Sequence, residues 1–347
     1  MKTKPVLEPL LVRALQCEPV QRVPVWLMRQ AGRYLPEYRK LRQEHSFEEL
    51  IKSPELATRV TLQPVERFDL DGAIIFFDIL YLFEALGVNV TFDDSGPKVQ
   101  SPFTSGKLDT SATRMSFEPG MFTHLAESLE MARKKLAREK ALIGFVGGPF
   151  TLFSYLMPCV GESALLQARR LLLEQPGTGK EILATIAEVA GALAELQVKA
   201  GAQVIQVFDT WAGILPGDMF PEFAAPFIDI VLDRINNLGV PSIYFARNTT
   251  HLLGELKKLK ASAISLDWTV DLKIASQVLG PEKALQGNLD PAVLLCGNNV
   301  IQDRVYKALR QGGESRGFVF NLGHGVPPQA DPGKIELLVD TVRKGPT

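Results

Sequence analysis

Short apolar runs recur along this chain, each followed by a polar or glycine-containing loop and then by a longer stretch with apolar positions at helical spacing. Eight runs predict strands: VWLM (25–28), AIIFF (73–77), LIGFV (142–146), QVIQVF (203–208), SIYFA (242–246), AISLD (263–267), ALQG (284–287) and FVFNL (318–322). Most are continuous rather than alternating, the pattern of parallel strands covered on both faces. Between them, residues 122–139 place Leu125, Leu129 and Leu136 on one side of a helix, and 182–201 read as a helix ending in a glycine. A third helix is expected from Asp218, as N-cap, to Asn237, stopping at Gly239 and Pro241. Strands alternating with helices make βαβ units, and eight of them predict one closed (β/α)8 TIM barrel, a single catalytic domain spanning 1–347. The stretch VNVTFDDSGPKVQSP (88–102) predicts a β-hairpin inserted after the second strand, turning at Asp93, Asp94, Ser95 and Gly96.

Composition removes several classes of function. Lys and Arg total 38 against 39 Asp and Glu, so no global field draws nucleic acid or anionic lipid, and any anion site must be local. Cys17, Cys159 and Cys296 are odd in number and widely spaced, without CxxC or HxC pairing. They argue against a disulfide framework or a cysteine-rich metal site and favour a reducing cytoplasm. Neither a signal peptide nor a run of about 18 apolar residues is visible, so no membrane span is expected.

In barrels of this kind the reactive groups lie at the C-terminal strand ends. There the sequence offers Arg29, Gln30 and Arg33; Asp78; Gly147, Gly148 and Tyr155; Asp209 and Thr210; Arg247; Asp267; Asn288 and Asp290; and Asn321 with His324. Plainer roles compete for some of them. Arg33 could pair with Glu37 four residues on, Asp78 could cap the helix after it, His324 could be a satisfied loop histidine, and Asp267 and Asn288 suit loop-fixing. No GxSxG, HExxH, P-loop or GxGxxG motif occurs, and no strand end carries a Schiff-base lysine. Cations, one well-placed carboxylate, hydroxyls and a histidine suit a polycarboxylate substrate, because arginine presents a fixed fork of donors to carboxylate oxygens.

The segments PVWLMRQAGRYLPEYR, AIIFFDIL, GAQVIQVFDTWAG, LDW, LQGNLDP and FNLGHGV, in this order and spread over nearly the whole chain, closely resemble the uroporphyrinogen decarboxylase family of haem biosynthesis. The resemblance implies a (β/α)8 barrel, usually a homodimer, that removes CO2 from the four acetate side chains of uroporphyrinogen III. The product is coproporphyrinogen III, and neither cofactor nor metal is implied. It also implies that Arg29, Gln30, Ala31, Gly32 and Arg33 form a substrate loop and that Asp78 accepts hydrogen bonds from pyrrole NH groups. Tyr155, Thr210 and His324 become further substrate contacts, with Arg42 a weaker match. Phe77 and Phe83 depart from the family pattern, which has a serine before the aspartate and a proline five residues after it. The general acid is open among Arg29, His324 and a bound water. Two other readings stand beside this one: a barrel methyltransferase, which needs zinc with thiolate or imidazole ligands, and a tetrapyrrole-binding module, which would not need Asp78.

Overall fold

Apolar runs without alternation must be covered on both faces, and the structure covers them. It is a computed structural model that describes residues 8–93, 96–104, 107–108 and 117–345. Strand β1 (Gly72–Ile74) is followed by two short antiparallel pairs, β2 (Val90–Asp93) with β3 (Gly96–Val99) and β4 (Phe103–Thr104) with β5 (Lys107–Leu108). Strands β6 (Ala141–Gly147), β7 (Val204–Phe208), β8 (Ser242–Phe245), β9 (Ala263–Ser265), β10 (Ala284–Leu289) and β11 (Phe318–Leu322) complete the set. Strands β1 and β6 to β11 pair in parallel, in chain order, as one curled seven-stranded sheet. Every residue of β6, β8, β9 and β11 is buried.

Eight strands are expected and seven form; the difference lies in the run 25–28. Only Val25 makes a parallel bridge there, to Phe320. On that side Phe320 N–H donates to the Pro24 carbonyl (2.9 Å) and Trp26 N–H to that of Phe320 (3.4 Å). On the other side Asp71 N–H donates to the Val25 carbonyl (2.9 Å). The segment 24–26 therefore fills the gap between β11 and β1 as a shortened eighth stave.

Proline at 24 has no N–H to add to a ladder, and side chains satisfy the backbone groups that follow. Asp71 accepts Val25 N–H (2.9 Å) while holding Arg22 in a two-pronged ion pair (2.7 and 2.6 Å). Asn321 accepts Met28 N–H (2.9 Å). Gln30 accepts Leu27 N–H (3.1 Å) and donates to the Gly72 carbonyl (3.0 Å). Inside the barrel Trp26 Nε1–H donates to Gln286 (2.8 Å), which donates in turn to Gln206 (3.1 Å) and Ser265 (3.0 Å).

Several boundaries move for local reasons. The run 73–77 leaves the sheet after Ile75, whose N–H still donates to Ile143, while Phe76 N–H turns to the Thr61 hydroxyl (2.9 Å); Asp78 is thereby lifted off the sheet edge. The helix expected over 122–139 is α-helical over Thr123–Lys135, and that expected over 182–201 begins earlier and spans Pro176–Lys199. Asp218 makes no side-chain cap bond, and its helix is broken at Ala224 into Met219–Phe223 and Ala225–Asn236, because Pro226 cannot continue the first piece. The hairpin is present as the β2–β3 pair; residues 94–95 of its turn lie outside the described residues. Among the described residues no helix is long and apolar enough to cross a membrane.

Barrel closure rests on Asp71, whose side chain is 4% exposed against 33% for Arg22. Removing one partner of a largely buried pair costs about 3 to 5 kcal/mol. Since Arg22 is partly solvated, Asp71→Ala is expected near the low end of that range. Asp71→Asn should lose less, because its amide oxygen still accepts Val25 N–H. Urea unfolding of the three proteins checks the order; equal stabilities would remove this account of closure.

Candidate active site

The strand ends and the loops after them enclose one cavity of about 560 Å3. Arg29, Gln30, Ala31, Gly32, Arg33, Arg42, Asp78, Tyr155, Thr210 and His324 all line it. Residues as much as 295 positions apart in the chain, Arg29 and His324, are thus brought to one space by closure of the sheet.

Arg29 is the first residue beyond the stitched stave. Its backbone is left-handed (φ 56°), a conformation that costs a non-glycine residue about 1 to 2 kcal/mol. The neighbours hold it: Gln30 N–H closes a turn on Leu27, and the Tyr34 hydroxyl donates to the Gln30 carbonyl (2.7 Å). Gly325 lies against its side chain, where a Cβ would come within 2.3 Å of Arg29 Cδ. Gln30 is fully buried and its amide is occupied by Leu27 and Gly72, so its side chain acts as a strut within the loop.

The surface-pair alternative for Arg33 does not hold, because Glu37 bonds Arg67 instead (3.0 and 3.2 Å). Among the described residues neither Arg29 nor Arg33 has a carboxylate within 4 Å. Arg42 donates to the His45 carbonyl (2.7 Å) and also faces the cavity. Among the described residues three guanidinium groups thus share a cleft with a single lining carboxylate, that of Asp78.

Asp78 fills the cap role that the sequence left open and faces the cavity as well. One oxygen accepts Leu80 N–H (2.8 Å), capping the 3-10 helix Ile79–Leu86, and the other has no partner among the described residues. Burial raises its pKa above the usual carboxylate range, opposed by the Leu80 N–H and by the charge of Arg29. Burial also raises Tyr155, and the Asp78 charge adds to this, so the phenol remains a proton donor. His324 is driven the other way, down to about 4, chiefly by burial and then by the charges of Arg29 and Arg247.

Other strand-end residues are turned to structural work. Asp209 is fully buried, accepts Thr151 N–H (2.7 Å) and the Tyr244 hydroxyl (3.3 Å), and is pushed up to about 6, mainly by burial. It anchors the short helix Pro149–Tyr155 and the loop of Thr210. Asp267 accepts Asn248 N–H, Thr269 N–H and the Thr269 hydroxyl, and Asn288 donates to the carbonyls of Asp267 and Val270. Asp290 caps the next turn through Ala292 N–H.

Sequence reasoning missed the apolar wall. Phe145, Phe208 and Phe245 line the cavity and form an edge-to-face row with ring centroids 5.6 and 6.2 Å apart, continued to the His324 ring at 6.1 Å. The available signal was their position as the inward residue near the ends of three adjacent runs. Phe77 also lines the cavity, packed on Tyr81 and His124, whereas Phe83 is wholly buried.

The family described as uroporphyrinogen decarboxylase (URO-D) matches residues 7–345. A protein of Carboxydothermus hydrogenoformans named uroporphyrinogen decarboxylase is 38% identical over 334 residues, covering 96% of this chain and 95% of its own length. One of the same name from Coxiella burnetii is 37% identical, with 96% and 93% covered. Among solved structures, a methyltransferase from Methanosarcina mazei superposes with a TM-score of 0.82 at 19% identity, covering 97% of this chain and 99% of that one. At that identity the likeness is one of fold alone.

The His324 imidazole should titrate near pH 4 in the folded protein and near 6.5 when unfolded. The unfolded chain then binds more protons between those values, so this residue's contribution to stability is complete above about pH 6.5 and is lost as pH falls toward 4. An NMR titration of the ring checks this; a midpoint between 6 and 7 would contradict it.

Proposed function

This chain belongs to the uroporphyrinogen decarboxylase family, and we infer from that premise that it removes the four acetate carboxyl groups of uroporphyrinogen III, releasing CO2 and coproporphyrinogen III. The observation that carries the reading to particular residues is the cavity's charge pattern. Among the described residues Arg29, Arg33 and Arg42 face it without carboxylate partners, and one oxygen of Asp78 accepts no hydrogen bond. A substrate with eight carboxylates and four pyrrole NH groups complements both. We assign the whole chain, 1–347, to one catalytic barrel domain.

Decarboxylation leaves an electron pair that needs a sink, and a pyrrole supplies its own. A proton adds to the ring α-carbon beside the one bearing the acetate, and the ring becomes an iminium-like cation conjugated with the acetate-bearing carbon. The bond to the carboxylate then breaks, CO2 leaves, and its electron pair returns to the ring through an exocyclic methylene. A second proton on that methylene, with loss of the first from the α-carbon, gives the methyl group and restores the aromatic ring.

Only the middle of this sequence places full positive charge on the pyrrole. A fixed carboxylate in a cavity walled by Phe145, Phe208 and Phe245 lowers the energy of that state more than the neutral ground state. Asp78 supplies the charge and gathers the NH groups on its free oxygen, while the arginines hold the side-chain carboxylates. Tyr155 and Thr210 add hydroxyl donors. His324, neutral at pH 7, offers one hydrogen bond and not an imidazolium proton.

We also propose that the protein is a homodimer of the cytoplasm, in keeping with its three free thiols and with exposed Val160, Leu166 and Leu173 near one helix. Sedimentation at a single-chain mass would contradict the dimer.

The test of the mechanism is turnover of uroporphyrinogen, followed as stepwise CO2 loss, in Asp78 variants. Asp78→Asn keeps the cap on Leu80 N–H but not the charge, so the fold should survive and kcat should fall by two or more orders of magnitude. Asp78→Glu keeps the charge, displaced by about one methylene, and should retain more activity than Asn although a shift near 1 Å costs roughly 100-fold. A fully active Asp78→Asn protein, or one whose only loss is melting temperature, would leave the residue as a helix cap.

A further inference from the structure

Arg247 ends the fifth stave, and none of the roles above uses it. Counting from the segment 24–26 through β1, β6 and β7 to β8, it stands half-way round the barrel from Arg29, which follows the first stave. Its N–H donates to the carbonyl of Thr210, a cavity residue (3.1 Å). It lies two residues beyond Phe245, the last residue of β8 and part of the cavity wall, and so stands just past the strand end.

The side chain is fixed but unpaired. Its guanidinium lies over the Trp268 ring, 5.3 Å from the centroid, and Trp268 is itself 37% exposed. Nε is buried with no hydrogen-bond partner among the described residues. The nearby carboxylate of Asp267 is occupied by Asn248 and Thr269, and among the described residues no carboxylate lies within 4 Å of Arg247. Its charge nonetheless reaches His324, whose proton affinity it lowers. Stacking on an indole removes rotamer freedom before any ligand arrives, so less is lost on forming a two-pronged bond to a carboxylate.

We propose that Arg247, held on Trp268, is a rim subsite for a peripheral carboxylate of the substrate that is not being lost in that turnover. This rests on the decarboxylase reading above. A macrocycle with carboxylates all round its edge cannot satisfy them from one wall, and Arg29, Arg33 and Arg42 all come from the segment after the first stave. Arg247 stands on the opposite side, just beyond the residues that line the cavity with Asp78, and so holds a group that stays on the product.

The experiment measures kcat and KM for uroporphyrinogen at several salt concentrations, together with direct anaerobic binding of coproporphyrinogen. Wild type, Arg247→Gln and Arg247→Lys are compared. Arg247→Gln should raise KM by about 10- to 100-fold and weaken coproporphyrinogen binding by a similar factor. Its kcat should stay within about twofold, and its KM should depend less on salt, since one screened cation is gone. Arg247→Lys should recover part of both. Arg247→Met keeps an apolar stem over Trp268 and takes the place of the Gln variant if that one does not fold. Unchanged KM and binding would overturn the proposal, as would a loss confined to kcat and melting temperature that Lys does not relieve. A wild type that binds the macrocycle without turning it over would overturn the decarboxylase reading, while the binding comparison would still decide the role of Arg247.

Discussion

The structure depends on how its sheet is closed. Seven regular strands leave a gap that a two-sided backbone ladder would ordinarily fill, and Pro24 prevents a full one. Asp71, Asn321 and Gln30 substitute side-chain acceptors for the missing carbonyls. Because those bonds fix Val25, Leu27 and Met28 one after another, the next residue, Arg29, leaves the barrel wall at a defined point and in a left-handed conformation. Closure and the placement of the first cavity-facing cation are therefore one arrangement of the chain.

The charge pattern follows from what the neighbours do. An arginine on a surface usually meets a carboxylate, and here the nearest candidate in sequence is taken by Arg67. The cavity is open enough for water to solvate Arg29 and Arg33, so leaving them unpaired costs less than it would in a sealed interior. Asp78 is less solvated, as its raised proton affinity indicates. Its charge is consequently less screened than those of the arginines.

Much of this was legible in the residue pattern. Continuous apolar runs with polar ends reveal parallel strands and also where the reactive side chains emerge, so every residue assigned to the substrate loop, with Asp78, Tyr155, Thr210 and His324, lies on one cavity. The shortening of the first strand was not legible, because Val25, Leu27 and Met28 give their N–H groups to side chains, one of them, Asn321, 293 positions away. The break at Ala224 required the packing around Pro226. The aromatic wall escaped for a different reason: a phenylalanine near a strand end looks the same whether it fills a core or floors a cleft. Phe77 and Phe83 separate on that ground, one facing the cavity and the other enclosed.

The row of rings from Phe145 through Phe208 and Phe245 to His324 has a consequence for a reaction that must be repeated. Contact with ring edges is non-directional and scales with area, so such a surface holds a macrocycle equally well after a quarter turn. A seat of this kind would leave orientation to the charged groups around it and could receive each successive intermediate without being rebuilt.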